Sequence, residues 1–166
     1  MAEENIAEMY ERGRKAFEWI EFKTQEEVDE IVAIVGWQYL QKQVAEEGAK
    51  LAYEGSGMGV YADKYGKAGK VRGILWDMKG AKTCGIIKED PIRGITTYAK
   101  PMGVVANVCP CTNPCITAAF IGLTLLKTRN AMICSPHPRT KLATVNAVNW
   151  EEKHSRLSEL QRTCSR

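Results

Sequence analysis

Residues Val104 to Arg139 constrain the fold of this chain more than any other stretch. They read VVANVCPCTNPCITAAFIGLTLLKTRNAMICSPHPR. An apolar strand runs into Thr112-Asn113-Pro114, an apolar helix follows, and a second apolar strand ends at Ser135-Pro136-His137-Pro138-Arg139. That pattern is a β-α-β unit with polar groups at the ends of its strands. In parallel α/β sheets, ligands bind at those strand ends.

Around this unit, composition narrows the class. A chain of 166 residues is one domain by default and long enough to bury a core. The net charge of +3 is small. No dense Lys/Arg block with interleaved aromatics appears, so nucleic-acid binding has no support. The acidic, amphipathic start MAEENIAEMYERG is wrong for a signal peptide, and the apolar run from Ile116 to Leu126 is too short to span a bilayer. The reading is a soluble, cytoplasmic protein. Its six cysteines, at 84, 109, 111, 115, 134 and 164, are then expected to be reduced.

Along the chain, Ile6, Met9, Tyr10, Gly13, Phe17 and Ile20 recur at helical spacing, so a helix is expected over about 4–20. Thr24-Gln25-Glu26-Glu27 is a capping box opening a second helix, with Val28, Ile31, Val32 and Val35 on one face. Gly36 is a candidate break or bend. Helical pattern resumes through Leu40, Val44, Ala45 and Leu51 and stops at Gly55-Ser56-Gly57-Met58-Gly59. That glycine cluster lacks the G-x-G-x-x-G spacing and follows a helix, so a helix stop fits better than a nucleotide loop. A further helix is expected over about 60–79. Thr83 to Ile87 and Gly94 to Tyr98 read as a hairpin with a longer loop over 88–93. A helix is expected again from Thr140 to Asn149.

Two readings compete at Asn113. Asn is a favoured N-cap and Pro is favoured at the first helical position, so Asn113-Pro114 is explained by helix initiation alone. Yet a side-chain amide just past a strand end can donate to a developing oxyanion, an interaction typically worth about 3 kcal/mol in a transition state. Thr112 is an alternative cap. Ser135 to Arg139 likewise reads either as a strand stop and cap or as a rigid turn beside the ribose or phosphates of a nucleotide.

Taken together, these motifs resemble the CoA-acylating branch of the aldehyde dehydrogenase superfamily, including the aldehyde dehydrogenase half of bifunctional aldehyde–alcohol dehydrogenases. The resemblance rests on Pro110-Cys111-Thr112-Asn113-Pro114, Leu126-Lys127-Thr128-Arg129-Asn130 and Ser135 to Arg139. Glu54 to Gly59 and Lys82-Thr83-Cys84-Gly85 support it, and it covers roughly 20–149. It implies an α/β fold: an N-terminal helical layer, a β-hairpin arm at about 83–100, then the start of a Rossmann-like parallel sheet. Residues 1–149 would be a partial cofactor-binding domain. The implied activity is NAD-dependent oxidation of an aldehyde to an acyl-CoA through a cysteine thioester, with coenzyme A as acyl acceptor. By position, Asn113 corresponds to the oxyanion-hole asparagine. Val108, Cys109, Pro110, Cys111, Thr112 and Asn113 correspond to the loop along the cofactor, and Ser135, His137 and Pro138 to its adenosine side. The hairpin corresponds to an oligomerisation arm, so a homo-oligomer or self-association through the arm and an exposed sheet edge is expected.

The family's nucleophilic cysteine belongs to a second domain that lies beyond these residues, so no turnover is expected of this chain alone. Cys111 is a poor substitute without a base or positive field to lower its pKa. Cys109-x-Cys111-x3-Cys115 lacks a second ligand pair at standard spacing, so no metal is expected and small buried side chains are the better account. Beyond Asn149 the resemblance stops. Shifted by two bases, suitable codons for Lys153 to Arg166 encode Ala-Leu-Glu-Ala-Val-Gly-Ala-Pro-Glu-Asp-Leu-Phe-Gln, the continuation the family expects. The segment 150–166 is therefore read as a non-family tail that is out of frame, the alternative being a genuine short protein with a divergent tail, and sequencing the gene decides between them. Two other functions stay open: a non-catalytic nucleotide-binding or assembly fragment, and a cysteine-based metal or redox module.

Overall fold

The Thr24 capping box forms in both directions: the Thr24 hydroxyl accepts from the Glu27 N–H, and Glu27 accepts from the Thr24 N–H at 2.8 Å. In the computed structural model, which describes residues 5–151, it opens α2 (Gln25–Tyr39). Val28, Ile31, Val32 and Val35 are all buried on one face, as their spacing requires. Helix α2 runs through Gly36 without a break. There the missing side chain serves packing, because a Cβ would lie 2.6 Å from Leu75 Cδ2 on a crossing helix.

Helix α1 (Ile6–Ile20) is capped by Asn5. Only the later part of its apolar stripe is used: Gly13, Phe17 and Ile20 are buried, while Ile6 is 81% exposed. Helix α3 (Lys42–Ser56) stops at Gly57, whose φ of 62° makes it a left-handed cap. The expected single helix over 60–79 is instead three pieces: α4 (Tyr61–Gly66), a 3-10 turn (Lys67–Gly69) and α5 (Lys70–Met78). Gly66 precedes the turn and Gly69 closes it, both at right-handed φ (−58° and −60°), and their low helix propensity favours the interruption.

Strands β1 (Gly85–Asp90) and β2 (Ile95–Ala99) form an antiparallel hairpin. Its connection is shorter than expected. Lys88, Glu89 and Asp90 pair with Thr97, Thr96 and Ile95, and the turn closes over 91–94 with the Arg93 N–H donating to Asp90 Oδ1. Charged residues are tolerated in β1 because nearly the whole ribbon stands in solvent.

The β-α-β unit is present: β3 (Val104–Val108), α6 (Pro114–Lys127) and β4 (Ala131–Ser135), with β3 and β4 parallel and paired from Val104↔Ala131 to Val108↔Ser135. Helix α1 covers one face of the pair and α6 the other, and α6 packs in turn on α2 and α5. Val28, Ile31, Val35, Val71, Ala118 and Leu123 form the centre of the core.

At the N-terminal ends of β3 and β4, a dense polar clamp forms. Lys127 pairs with Asp29, and its carbonyl accepts from the Thr83 hydroxyl. Arg129, at a φ of 59°, donates to the carbonyls of Glu21 and Ala99 at 2.8 and 3.1 Å. Asn130 Oδ1 accepts from the N–H groups of Met102 and Gly103 at 2.6 and 3.0 Å.

After a short 3-10 turn (Pro138–Thr140), helix α7 runs from 141 to 151, the last described residue. Trp150 and Glu151 continue it, and the rest of the segment expected to be out of frame lies outside the described residues. Glu151 is buried, its carboxyl occupying the space left by the missing side chain of Gly122.

Candidate active site at the strand ends

Beyond β3 the ladder continues for one residue, with the Cys109 N–H donating to the Ser135 carbonyl at 2.9 Å. Pro110 then turns the chain out of the sheet. Val108 is 78% exposed, Cys109 is buried, Pro110 and Thr112 are exposed, and Cys111 and Asn113 are half-buried.

Asn113 occupies the N-cap position of α6, with Pro114 at the first helical position. The capping account of its side chain fails, however. Neither Asn113 nor Thr112 makes a side-chain cap bond; helix initiation rests on the backbone, with the Thr117 N–H donating to the Asn113 carbonyl at 3.0 Å. Instead, Asn113 Oδ1 accepts from Lys67 Nζ at 2.6 Å. Lys64 Nζ donates to the Thr112 carbonyl beside it. The two lysines, three residues apart, bracket the turn. Partial burial and the charge of Lys67 push the Lys64 ammonium below the usual lysine range.

This arrangement has a chemical direction. An ammonium on the amide oxygen polarises the group and leaves its N–H2 end to donate. Two lysines and the N-terminus of α6 make the turn positive, which favours a developing negative charge. A cleft opens beside it, walled by Gly48 and Ala52 of α3, by Lys64 and Lys67, and by Cys115 and Asn146. Asn113 and Lys67 also border a shallower hollow with Lys70, Thr117 and Phe120. Neither lysine was among the residues expected from sequence; their spacing just after the glycine cluster was the available signal.

Across the strand ends, His137 caps the 3-10 turn, its Nδ1 accepting from the Arg139 N–H at 3.2 Å. Pro138 begins that turn. Arg139 is engaged by the fold: it donates to the Ser56 carbonyl, and its own carbonyl lies 2.8 Å from where a Cβ of Gly55 would sit. The glycine cluster therefore stops α3 and lets this turn approach. Among the described residues, the Ser135 hydroxyl and His137 Nε2 make no hydrogen bond.

The cysteines that crowd in sequence diverge in space. Cys115 donates to the carbonyls of Gly48 and Ala143 at 3.4 and 3.3 Å, and burial pushes its pKa up to about 12. Cys109 turns to Cys134, with their Sγ atoms 3.3 Å apart. Cys111 stays half-buried at the turn. Among the described residues, no three His, Cys, Asp or Glu side chains gather as a metal-ligand set.

No protein-family model matches the chain. Individual proteins do. A sulfoacetaldehyde dehydrogenase from an Acholeplasma species is 42% identical over 146 residues, 87% of this chain and 30% of that protein. The acetylating succinate-semialdehyde dehydrogenase of Clostridium kluyveri is 40% identical, over 88% of this chain and 32% of its own length. The bifunctional aldehyde-alcohol dehydrogenase AdhE of Escherichia coli K12 is also 40% identical, over 90% of this chain and 17% of its own. Among solved structures, an acetylating aldehyde dehydrogenase from Geobacillus thermoglucosidasius superposes with a TM-score of 0.87 at 31% identity, covering 92% of this chain and 33% of that one. The chain thus spans about a third or less of the proteins it matches. By homology it belongs with the acylating aldehyde dehydrogenases, the aldehyde dehydrogenase part of AdhE among them.

Proposed function

We propose that this chain forms the cofactor-side part of a site that oxidises an aldehyde to an acyl-CoA with NAD, coenzyme A being the acyl acceptor. The observation that carries the reading is the Lys67–Asn113 bond. It engages the amide oxygen and leaves the donor end for an oxyanion formed when a thiolate, supplied from outside these residues, adds to the aldehyde. The positive turn at Asn113 and the polar groups of Ser135 and His137 suit a nicotinamide nucleotide. The turn from Val108 through Cys109, Pro110, Cys111 and Thr112 to Asn113, exposed at Val108, Pro110 and Thr112, would lie along it, and Ser135, His137 and Pro138 would flank its adenosine side. Held there, a nicotinamide would supply the hydride acceptor for the substrate carbon. Asn113 holds the negative oxygen, and Lys67 keeps the amide aimed.

Amide-resolved NMR of the chain with added NAD tests this. Shifts should cluster at the amides of Val108, Cys109, Cys111, Thr112, Asn113, Ser135 and His137, and the NADH-coupled assay with aldehyde and CoA should show no turnover by this chain alone. Shifts scattered elsewhere, or none at millimolar NAD, would sink the reading.

The hairpin supports a second, compatible reading: assembly. An isolated two-stranded ribbon is marginal in water. This one exposes Ile86, Ile95 and Tyr98, with Ile92 95% exposed at its tip. A second copy is the proposed partner for it. Sedimentation should show concentration-dependent association that Ile95→Lys weakens; a monomer at every concentration would refute it.

A further inference from the structure

The facing thiols of Cys109 and Cys134 play no part in the proposed chemistry, and their surroundings set them apart. Both side chains lie on the α6 side of the parallel pair, at the top of adjacent strands. In the register Asn107 stands opposite Cys134, so Cys109 lies one step further along the same face. Their sulfurs approach to 3.3 Å, inside ordinary sulfur contact. The buried Asn107 amide reaches both, at 3.6 and 3.9 Å, and reaches Met132 Sδ at 3.5 Å. The buried carboxyl of Glu151 and the thiol of Cys115 are further titratable neighbours, and in its charged form Glu151 disfavours thiolate at either sulfur. Cys109 is only 2% exposed, whereas Cys134 is half-buried.

We propose that Cys109 and Cys134 are a disulfide-forming pair, a redox modification site built across the ends of β3 and β4. The oxidant is a peroxide. Cys134, the more accessible thiol, loses its proton and attacks one peroxide oxygen, giving a sulfenic acid and water. The Cys109 sulfur then attacks the Cys134 sulfur and expels a second water. Two thiols and one hydrogen peroxide become one disulfide and two waters, with two electrons passing from sulfur to oxygen.

Proximity drives the second step, not reactivity. Burial raises the pKa of both thiols, that of Cys134 to about 12, so the first step is slow at neutral pH. Once a sulfenic acid forms, its partner is already in contact, and intramolecular capture outruns further oxidation. The bridge would tie the root of the 108–113 turn to the strand leading into the 135–139 turn. Cys111 sits out on the turn, and the Cys115 thiol is engaged by the carbonyls of Gly48 and Ala143.

The test oxidises the full chain with hydrogen peroxide, alkylates remaining thiols, and maps tryptic peptides by mass spectrometry without reduction. The expected product links Cys109 to Cys134, is reversed by dithiothreitol, and melts at a higher temperature than the reduced chain. Cys134→Ala should abolish the link, and Cys111→Ala should leave it unchanged. Should Cys134→Ala fail to fold, Cys109→Ser provides the same control. Dominant links to Cys84, Cys111 or Cys164, or separate sulfinic acids at Cys109 and Cys134, would overturn the assignment.

Discussion

At the N-terminal ends of β3 and β4, the polar side chains of Lys127, Arg129 and Asn130 are bonded to other parts of the fold: Asp29, the Glu21 and Ala99 carbonyls, and the Met102 and Gly103 amides. At the C-terminal ends of the same strands, Asn113 Oδ1, His137 Nδ1 and Arg139 are bonded too, but among the described residues the Asn113 N–H2, the Ser135 hydroxyl and His137 Nε2 make no hydrogen bond. The sequence motifs at the two ends look alike: short, polar and family-like. Their bonding separates them. A motif whose groups are mostly consumed by the fold, as in the clamp, holds the sheet together, whereas the groups held in reserve at the other end are those we propose meet a ligand. This is the division expected of parallel α/β sheets, which bind at the carboxyl ends of their strands.

Substitution at the clamp should give the largest losses of stability. Asn130→Ala removes the acceptor for two amides, that of Gly103 being buried. A loss of about 2–3 kcal/mol is expected in urea unfolding, since each stranded buried donor costs on the order of 1–3 kcal/mol. Loss of NAD binding by folded Asn130→Ala protein would break the contrast between the ends. Lys127→Met should cost less, about 1–2 kcal/mol, because Asp29 is half exposed and regains water when its partner goes.

Much of this architecture was legible beforehand, and the reasons differ by residue. The Thr24 capping box and the Gly57 stop are local, so spacing alone reveals them. The β-α-β unit is local too. What escaped depends on contacts between distant segments. Gly36 looks like a breaker until Leu75 crosses it. The clamp cannot be seen in Leu126 to Asn130 without Asp29 and Met102. Lys67 meets Asn113 across 46 residues of sequence, so periodicity could not separate a capping asparagine from a held one.

Between the two ends, Glu151 gives a pH-dependent effect of intermediate size. Burial raises its pKa well above the ordinary carboxylate value, with the Tyr39 hydroxyl opposing the shift. The folded chain therefore holds a proton there that the unfolded chain releases at lower pH. Its contribution is fully present below the unfolded carboxylate pKa and is lost as pH rises towards the folded value. Melting temperature should fall with pH across that window, and Glu151→Gln should flatten the fall. An unchanged slope in Glu151→Gln would remove Glu151 as its source.

The smallest stability effect is expected at Asn113, and there the comparison is sharpest. Asn113→Ala breaks one partly buried bond to Lys67, and the freed ammonium can turn to water. A cost of about 0.5–1 kcal/mol follows, because a net hydrogen bond contributes about that much. No helix cap is lost, since none was made. If Asn113 were a structural cap after all, the cost would approach the larger cap values, up to about 2 kcal/mol. Lys67→Met should match Asn113→Ala in urea unfolding and add nothing in the double variant, because both remove the same bond. The same asparagine change, made in a complete acylating enzyme of this family, should lower kcat by about 100-fold or more, as removal of one oxyanion donor does. A large loss of stability with little loss of kcat would move Asn113 into the class of Asn130, and the two ends of the sheet would no longer differ in kind.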